Sequence, residues 1–154
     1  MIKLLTEALK RRRRNRLMRN KPIPDKLPKH LKVGIAGENA ATALYIKDGF
    51  DILERNYRLG KAEVDIIAED KHCFVFCEVK SRIGSPDVPS PYGRPSRAVD
   101  KEKREHMIQA ATYFACRYRT SGKCFRFDVV EVYLSDSLEL ISLHHIKSAF
   151  TLNR

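Results

Sequence analysis

The chain reads as one α/β (α+β) domain, a mixed central sheet flanked by helices, in the order α-β-β-β-α-β-β over residues 34–154. Three observations predict it: two segments place apolar residues at helical spacing, five carry strand patterns, and no internal repeat interrupts their order. A length of 154 residues suits a single domain able to bury its own core.

The first helix is expected over residues 35–48, with Ala36, Ala40, Ala43 and Leu44 on one face and Gly49 suited to the left-handed turn that ends it. A strand follows around Ile52–Arg58. In the next, Val64, Ile66 and Ala68 alternate against Glu63, Asp65 and Ile67, and a polar turn at 69–72 joins it to a third strand, Cys73–Lys80, as a hairpin. That third strand is almost continuously apolar, as a central strand buried on both faces should be. Residues 84–96 hold four Pro, two Gly and three Ser, a loop too long to be a mere connection. The second helix is expected from Asp100, as N-cap, to Tyr118, burying Met107, Ala110, Ala111, Phe114 and Tyr118. Strands at 125–134 and 138–144 complete the domain.

Charge is unevenly placed. Residues 1–33 hold twelve Lys/Arg against Glu7 and Asp25, whereas the remainder is nearly neutral, so most of the net +11 belongs to an N-terminal arm. Arg11, Arg12, Arg13, Arg14, Arg16 and Arg19 concentrate it, and Pro22, Pro24 and Pro28 mark a linker to the domain, giving an arm and linker over 1–33 that is expected to be flexible. A basic arm on a neutral domain points to a polyanion, with nucleic acid ahead of a membrane surface and a solvated tail as the bland alternative. Ile2, Leu5 and Leu9 sit at helical spacing but offer little burial. The longest apolar run is five residues, Cys73–Cys77, far short of the roughly 20 needed for a span. With no secretory pattern at its start, the chain is expected in the cytoplasm.

The four cysteines form no Cys-x-x-Cys pair. Cys73 and Cys77 would lie ~13 Å apart along one strand, too far for a disulfide or a shared zinc. With Cys116 in a helix and Cys124 in a turn, all four read as buried or incidental thiols. His144 and His145, adjacent in a strand, point to opposite faces and are assigned no metal.

Glu78 breaks the apolar third strand, and Lys80, two residues on, projects to the same side. A carboxylate there is costly unless compensated. Asp65, on the preceding strand, can approach it. Two carboxylates beside an ammonium suit a hard divalent cation, Mg²⁺ above all, and phosphodiester hydrolysis; an internal salt bridge is the alternative. Glu69-Asp70-Lys71 repeats the Glu-x-Lys spacing in an exposed turn, where it needs no such explanation.

Gly37-Glu38, Glu63-Val64-Asp65-Ile66-Ile67-Ala68, Phe76-Cys77-Glu78-Val79-Lys80-Ser81-Arg82 and Arg126-Phe127-Asp128-Val129-Val130 together resemble the YraN-like family of predicted bacterial endonucleases. That family is similar to the PD-(D/E)XK nucleases and stands near the archaeal Holliday-junction resolvases. The resemblance spans roughly residues 34–134 and implies a restriction-endonuclease-like core and a Mg²⁺- or Mn²⁺-dependent nuclease acting on DNA rather than RNA, branched DNA included, as a homodimer. It assigns the metal to Asp65, Glu78 and the Val79 backbone carbonyl. Glu38 joins them directly or through water, and Lys80 acts on the attacking water. Gln109 and Tyr113, four apart on the second helix, together with Arg82, would support the site or touch the nucleic acid. Asp128 is expected to make a structural hydrogen bond. Ala62 stands where the family usually has Gly, and the basic arm is not a standard family part.

Overall fold

Pro28 has no N–H to give a helix and holds an extended backbone (φ −53°, ψ 145°), so it precedes rather than enters α1, Lys29–Lys47. The helix thus begins six residues before the apolar spacing announces it, because its first turns are basic and mostly exposed. It ends in a Schellman motif: Phe50 N–H donates to Tyr45 O (2.9 Å) and Gly49 N–H to Ile46 O (3.1 Å). Gly49 has φ +88°, the left-handed turn that this closure requires. The computed structural model describes Asn15, Met18 and residues 20–87, 99–118 and 122–152. The arginines of the arm, Arg11–Arg14, Arg16 and Arg19, and most of the Pro-rich loop lie outside the described residues.

Five strands follow one another across a single sheet in sequence order: β1 (Asp51–Leu59), β2 (Ala62–Glu69), β3 (Cys73–Ile83), β4 (Cys124–Leu134) and β5 (Leu140–Phe150). All neighbours are antiparallel except β3 and β4, which α2 (Lys101–Tyr118) joins as a parallel crossover. The order α-β-β-β-α-β-β and the mixed sheet are those expected. Asp100 caps α2 by accepting the Lys103 N–H at 2.8 Å.

The sheet is covered on both faces. On one, Tyr45 and Ala41 of α1 pack with Ile52, Ile66, Ala68, Val75 and Cys77; on the other, Met107, Ala110, Ala111 and Phe114 of α2 pack with Val64, Ile67, Phe74 and Phe76. Strand β3 feeds both cores, which explains its unbroken apolar run.

Ala36, Ala40 and Leu44 of the expected α1 face do pack on the core, half-buried, beside a more buried stripe of Val33, Gly37, Ala41 and Tyr45. Three expectations are corrected. Tyr118 is 51% exposed, although its ring lies tilted against Phe114 with centroids 4.3 Å apart. Val64 and Ile66 do not share a face: Val64 belongs to the α2 core and Ile66 to the α1 core, so the alternation of β2 breaks at Asp65. Cys73 and Cys124 are joined in a disulfide, with Cα atoms 4.6 Å apart. They are register partners at the start of β3 and β4, a neighbourhood that spacing along one strand does not reveal. Cys77 (buried) and Cys116 (exposed) remain thiols. Among the described residues no helix is long and apolar enough to cross a membrane.

Candidate active site

The site begins where two strands part. β2 and β3 pair from Glu69–Phe74 to Ile66–Cys77, and there the ladder stops. One residue further, the Asp65 carboxylate takes the place of a backbone carbonyl, accepting the Val79 N–H at 2.7 Å. The same step on β1 falls between Arg55, paired with Ile66, and Tyr57, paired with Val64. Asn56 between them has φ +51°, a left-handed conformation that non-glycine residues adopt at a cost. Both strands therefore twist out of alternation at one level, which opens the sheet around Asp65.

Glu78 is buried, 5% exposed, and each of its oxygens meets an ammonium: Oε1 lies 2.8 Å from Lys80 Nζ and Oε2 2.8 Å from Lys103 Nζ. The Oε2 contact is ionic only, since that oxygen accepts no well-aligned hydrogen bond. Lys103 also donates to Glu63 O at 2.8 Å. The two lysine side chains are 27% and 24% exposed, so the pair is closed beneath but open to solvent above.

Glu38 arrives from the α1 side. Gly37 makes this possible, because a Cβ there would lie 2.6 Å from Ser81 Cβ; only glycine lets the helix approach β3 so closely. Arg55 Nη2 pairs with Glu38 Oε2 at 3.2 Å and Asn56 Nδ2 donates to the same oxygen at 2.9 Å. Asp65 feels the charge of both carboxylates. Burial first, then the charge of Glu78 and, more weakly, of Glu38, raises its pKa to about 8, against the opposing Val79 N–H and Lys103.

The donor set suits a hard divalent cation: Asp65 lies in a negative field strong enough to hold a proton near neutrality, and Glu78 Oε2 is buried with unused lone pairs. In this conformation Lys80, Lys103 and Arg55 supply the positive charge instead. Among the described residues no three His, Cys, Asp or Glu side chains are gathered into a metal cage. For Val79, the contact recorded is its N–H on Asp65.

Thus Lys80 pairs with Glu78, whose charge acts on Asp65, while Glu38 acts on Asp65 more weakly from the α1 side and is held by Arg55 and Asn56. Gln109 and Tyr113 occupy other ground: Gln109 lines a groove between α2 and the end of β5, and Tyr113 is 44% exposed beside Tyr57 and Arg117. Arg82 continues the Glu78-Lys80 face of β3, half-buried. Sequence reasoning missed Arg55, Asn56 and Lys103. An Arg-Asn pair inside a strand was a usable signal, since Asn is a common non-glycine choice for φ > 0; nothing marked Lys103 among its charged neighbours.

Asp128 forms a second, separate centre. It is fully buried and accepts from Arg126 (2.9 Å twice), Tyr45 OH (2.9 Å) and the Ser148 N–H (3.0 Å), with His145 Nε2 at 2.7 Å. The structural role expected for it is what the geometry records. His145 faces this network and His144 faces Glu131, on opposite sides of β5 as expected.

Fold and site together define an α+β domain with helices on both faces of one mixed sheet, whose β2–β3 ladder stops just before Asp65. The family model described as "Uncharacterised protein family UPF0102" matches residues 37–132, from the glycine that seats α1 to the Val132 it faces. The chain belongs to the UPF0102 family, the YraN-like group whose motifs it carries. It is 39% identical over 119 residues to a UPF0102 protein of Caldicellulosiruptor saccharolyticus, covering 77% of this chain and 97% of that one. It is likewise 39% identical to one of Clostridium acetobutylicum (77% and 93%) and 37% identical to one of Clostridioides difficile (76% and 95%).

Proposed function

We propose that the protein is a Mg²⁺- or Mn²⁺-dependent endonuclease that hydrolyses phosphodiester bonds in DNA, branched DNA included. The observation that carries this reading is the meeting of Asp65 and Glu78 where β2 and β3 separate, with Lys80 on Glu78 and an Asp65 proton affinity raised to about 8. Asp65 and Glu78, with Glu38 behind them, are the residues that would hold the ion. The ion, when bound, supplies Lewis-acid polarisation of a phosphoryl oxygen and a more acidic water.

The chain's own groups do the rest. The Val79 N–H fixes the Asp65 carboxylate, and Arg55 and Asn56 fix Glu38, so both are oriented before substrate arrives. Lys80 and Lys103, tied down at their Glu78 ends and open to solvent, are placed to neutralise phosphate charge as it develops. The basic arm adds affinity that salt screens.

The test is cleavage of linear, flapped and four-way-junction DNA with Mg²⁺ by the wild-type protein and by Glu78→Ala. Loss of at least about a hundredfold in rate is expected, the size of several kcal/mol of charge stabilisation. Equal products from both would remove the assignment. One observation favours a second reading, a non-catalytic nucleic-acid-binding module: both Glu78 oxygens already face ammoniums. That reading requires salt-sensitive binding unaffected by Mg²⁺ and no cleavage by either protein.

A further inference from the structure

Glu78 meets its two ammoniums on unequal terms. Lys80 stands two residues away on the same strand, so its pairing with Oε1 is a local contact within β3. Lys103 comes from another element. It lies in the first turn of α2, where its own N–H donates to the Asp100 cap. From there its side chain reaches the level at which β2 and β3 have separated, and its Nζ joins Glu63 O of β2 to Glu78 Oε2 of β3, 2.8 Å from each.

Two properties mark the Lys103 ammonium as replaceable. Its contact with Oε2 is ionic without a well-aligned hydrogen bond, so that oxygen keeps its lone pairs although it is shut off from water. Its charge is also felt at Asp65, so Lys103 serves both of the acids that would hold an ion. A divalent cation offered the same carboxylates brings twice the charge and takes those lone pairs directly. An ammonium and a divalent ion repel each other, and the partly exposed Lys103, on a flexible stem, has a short way out to water. Tethering adds selectivity. An ammonium carried on the chain competes at an effective concentration of about millimolar or more. A monovalent ion replaces one such charge with another and gains nothing; a divalent ion gains.

We propose that Lys103 is a resident cation of the carboxylate site, which closes Glu78 to monovalent ions and yields its place on Oε2 to a divalent one. This role rests on the divalent-ion half of the proposed function and needs no DNA to be cut. It differs in sign from a supporting role. A lysine that only held Glu78 in position would help an ion to bind, whereas a resident cation opposes it until it is displaced.

Two measurements on the full chain test it. In calorimetric titrations with Mn²⁺, Lys103→Met, which keeps the apolar stem and removes the charge, is expected to bind at least about tenfold more tightly than the wild type. Lys101→Met, which removes an exposed charge from the same helical turn, is expected to change the affinity less than about twofold. The second measurement uses the wild type alone. The Lys103 ammonium, seen by ¹⁵N NMR while its ion pair shields it, is expected to lose its signal to solvent exchange as Mg²⁺ is added, whereas the Lys123 ammonium, paired with Glu69 at 2.7 Å, keeps its own. A Lys103→Met affinity equal to or weaker than that of the wild type, or a Lys103 signal unchanged at saturating Mg²⁺, would overturn the resident cation. Failure of all three proteins to take up Mn²⁺ would overturn the divalent-ion reading with it. The expected Mn²⁺ affinities without cleavage of any DNA would leave the role of Lys103 standing and remove the nuclease.

Discussion

Two aspartates of one sheet have been driven to opposite proton affinities. Asp128, more deeply buried, is held at a pKa of about 2; Asp65, still touching solvent, is raised to about 8. Burial pushes both upward, so burial does not separate them. Partners do: Asp128 is surrounded by His145, Arg126 and the Ser148 N–H, whereas Asp65 has one backbone N–H and faces the carboxylates of Glu78 and Glu38. A carboxylate that is fully satisfied holds structure together. One that is left in a negative field is stabilised by taking up a cation, whether proton, ammonium or metal. The contrast separates a carboxylate whose charge is balanced from one whose charge is not.

The largest effect should come from breaking the satisfied centre. Asp128→Ala strands the Arg126 and His145 side chains, the Tyr45 hydroxyl and the Ser148 N–H, and is expected to cost about 3–5 kcal/mol in urea unfolding. A loss below about 1 kcal/mol would mean that the network relaxes around water.

Next comes the approach of α1, which serves both centres through Glu38 and Tyr45. Gly37→Ala forces the helix away from Ser81, an overpacking cost of about 1–3 kcal/mol by the same measurement. Its effect should be sharper on the Asp65 side, because Glu38 is adjacent to the substitution and Tyr45 lies two turns away.

The smallest effect per unit of measurement is a slope with pH. Asp65 binds its proton more tightly folded than unfolded, so it adds stability at acid pH that is lost as pH rises from about 4 through about 8, at most about 1.4 kcal/mol per pH unit. Asp128 has the opposite sign: its contribution is present above about pH 4 and is lost as pH falls toward 2. Asp65→Asn should flatten the alkaline-going slope of the urea midpoint and leave the acid-side loss intact. A variant with the wild-type slope would show that Asp65 ionises normally and that the comparison is false.

How far the site was legible follows from the same contrast. Glu78 was conspicuous because a charge interrupts an apolar strand, and Asp65 because a hairpin brings it near; Asp128 was readable as structural. Lys103 and the cationic cover of Glu78 were not legible, because α2 reaches β3 only through a crossover whose packing no local pattern encodes. The disulfide between Cys73 and Cys124 was hidden for a related reason: its halves are 51 residues apart and become neighbours only when β3 and β4 pair in parallel. Lys21, placed by its prolines in a linker, joins the Glu38 network through contacts that no spacing announces.

By itself the sequence determined two helices, five strands, a doubly buried third strand and the acids worth watching, because periodicity and apolar runs are local consequences of burial. Only the tertiary structure decided which face each residue of β2 takes beyond Asp65, which cations meet Glu78, and whether a buried aspartate is satisfied or left wanting. Those outcomes depend on distances between segments far apart in the chain, and electrostatic energy is set by distance and surroundings rather than by residue type.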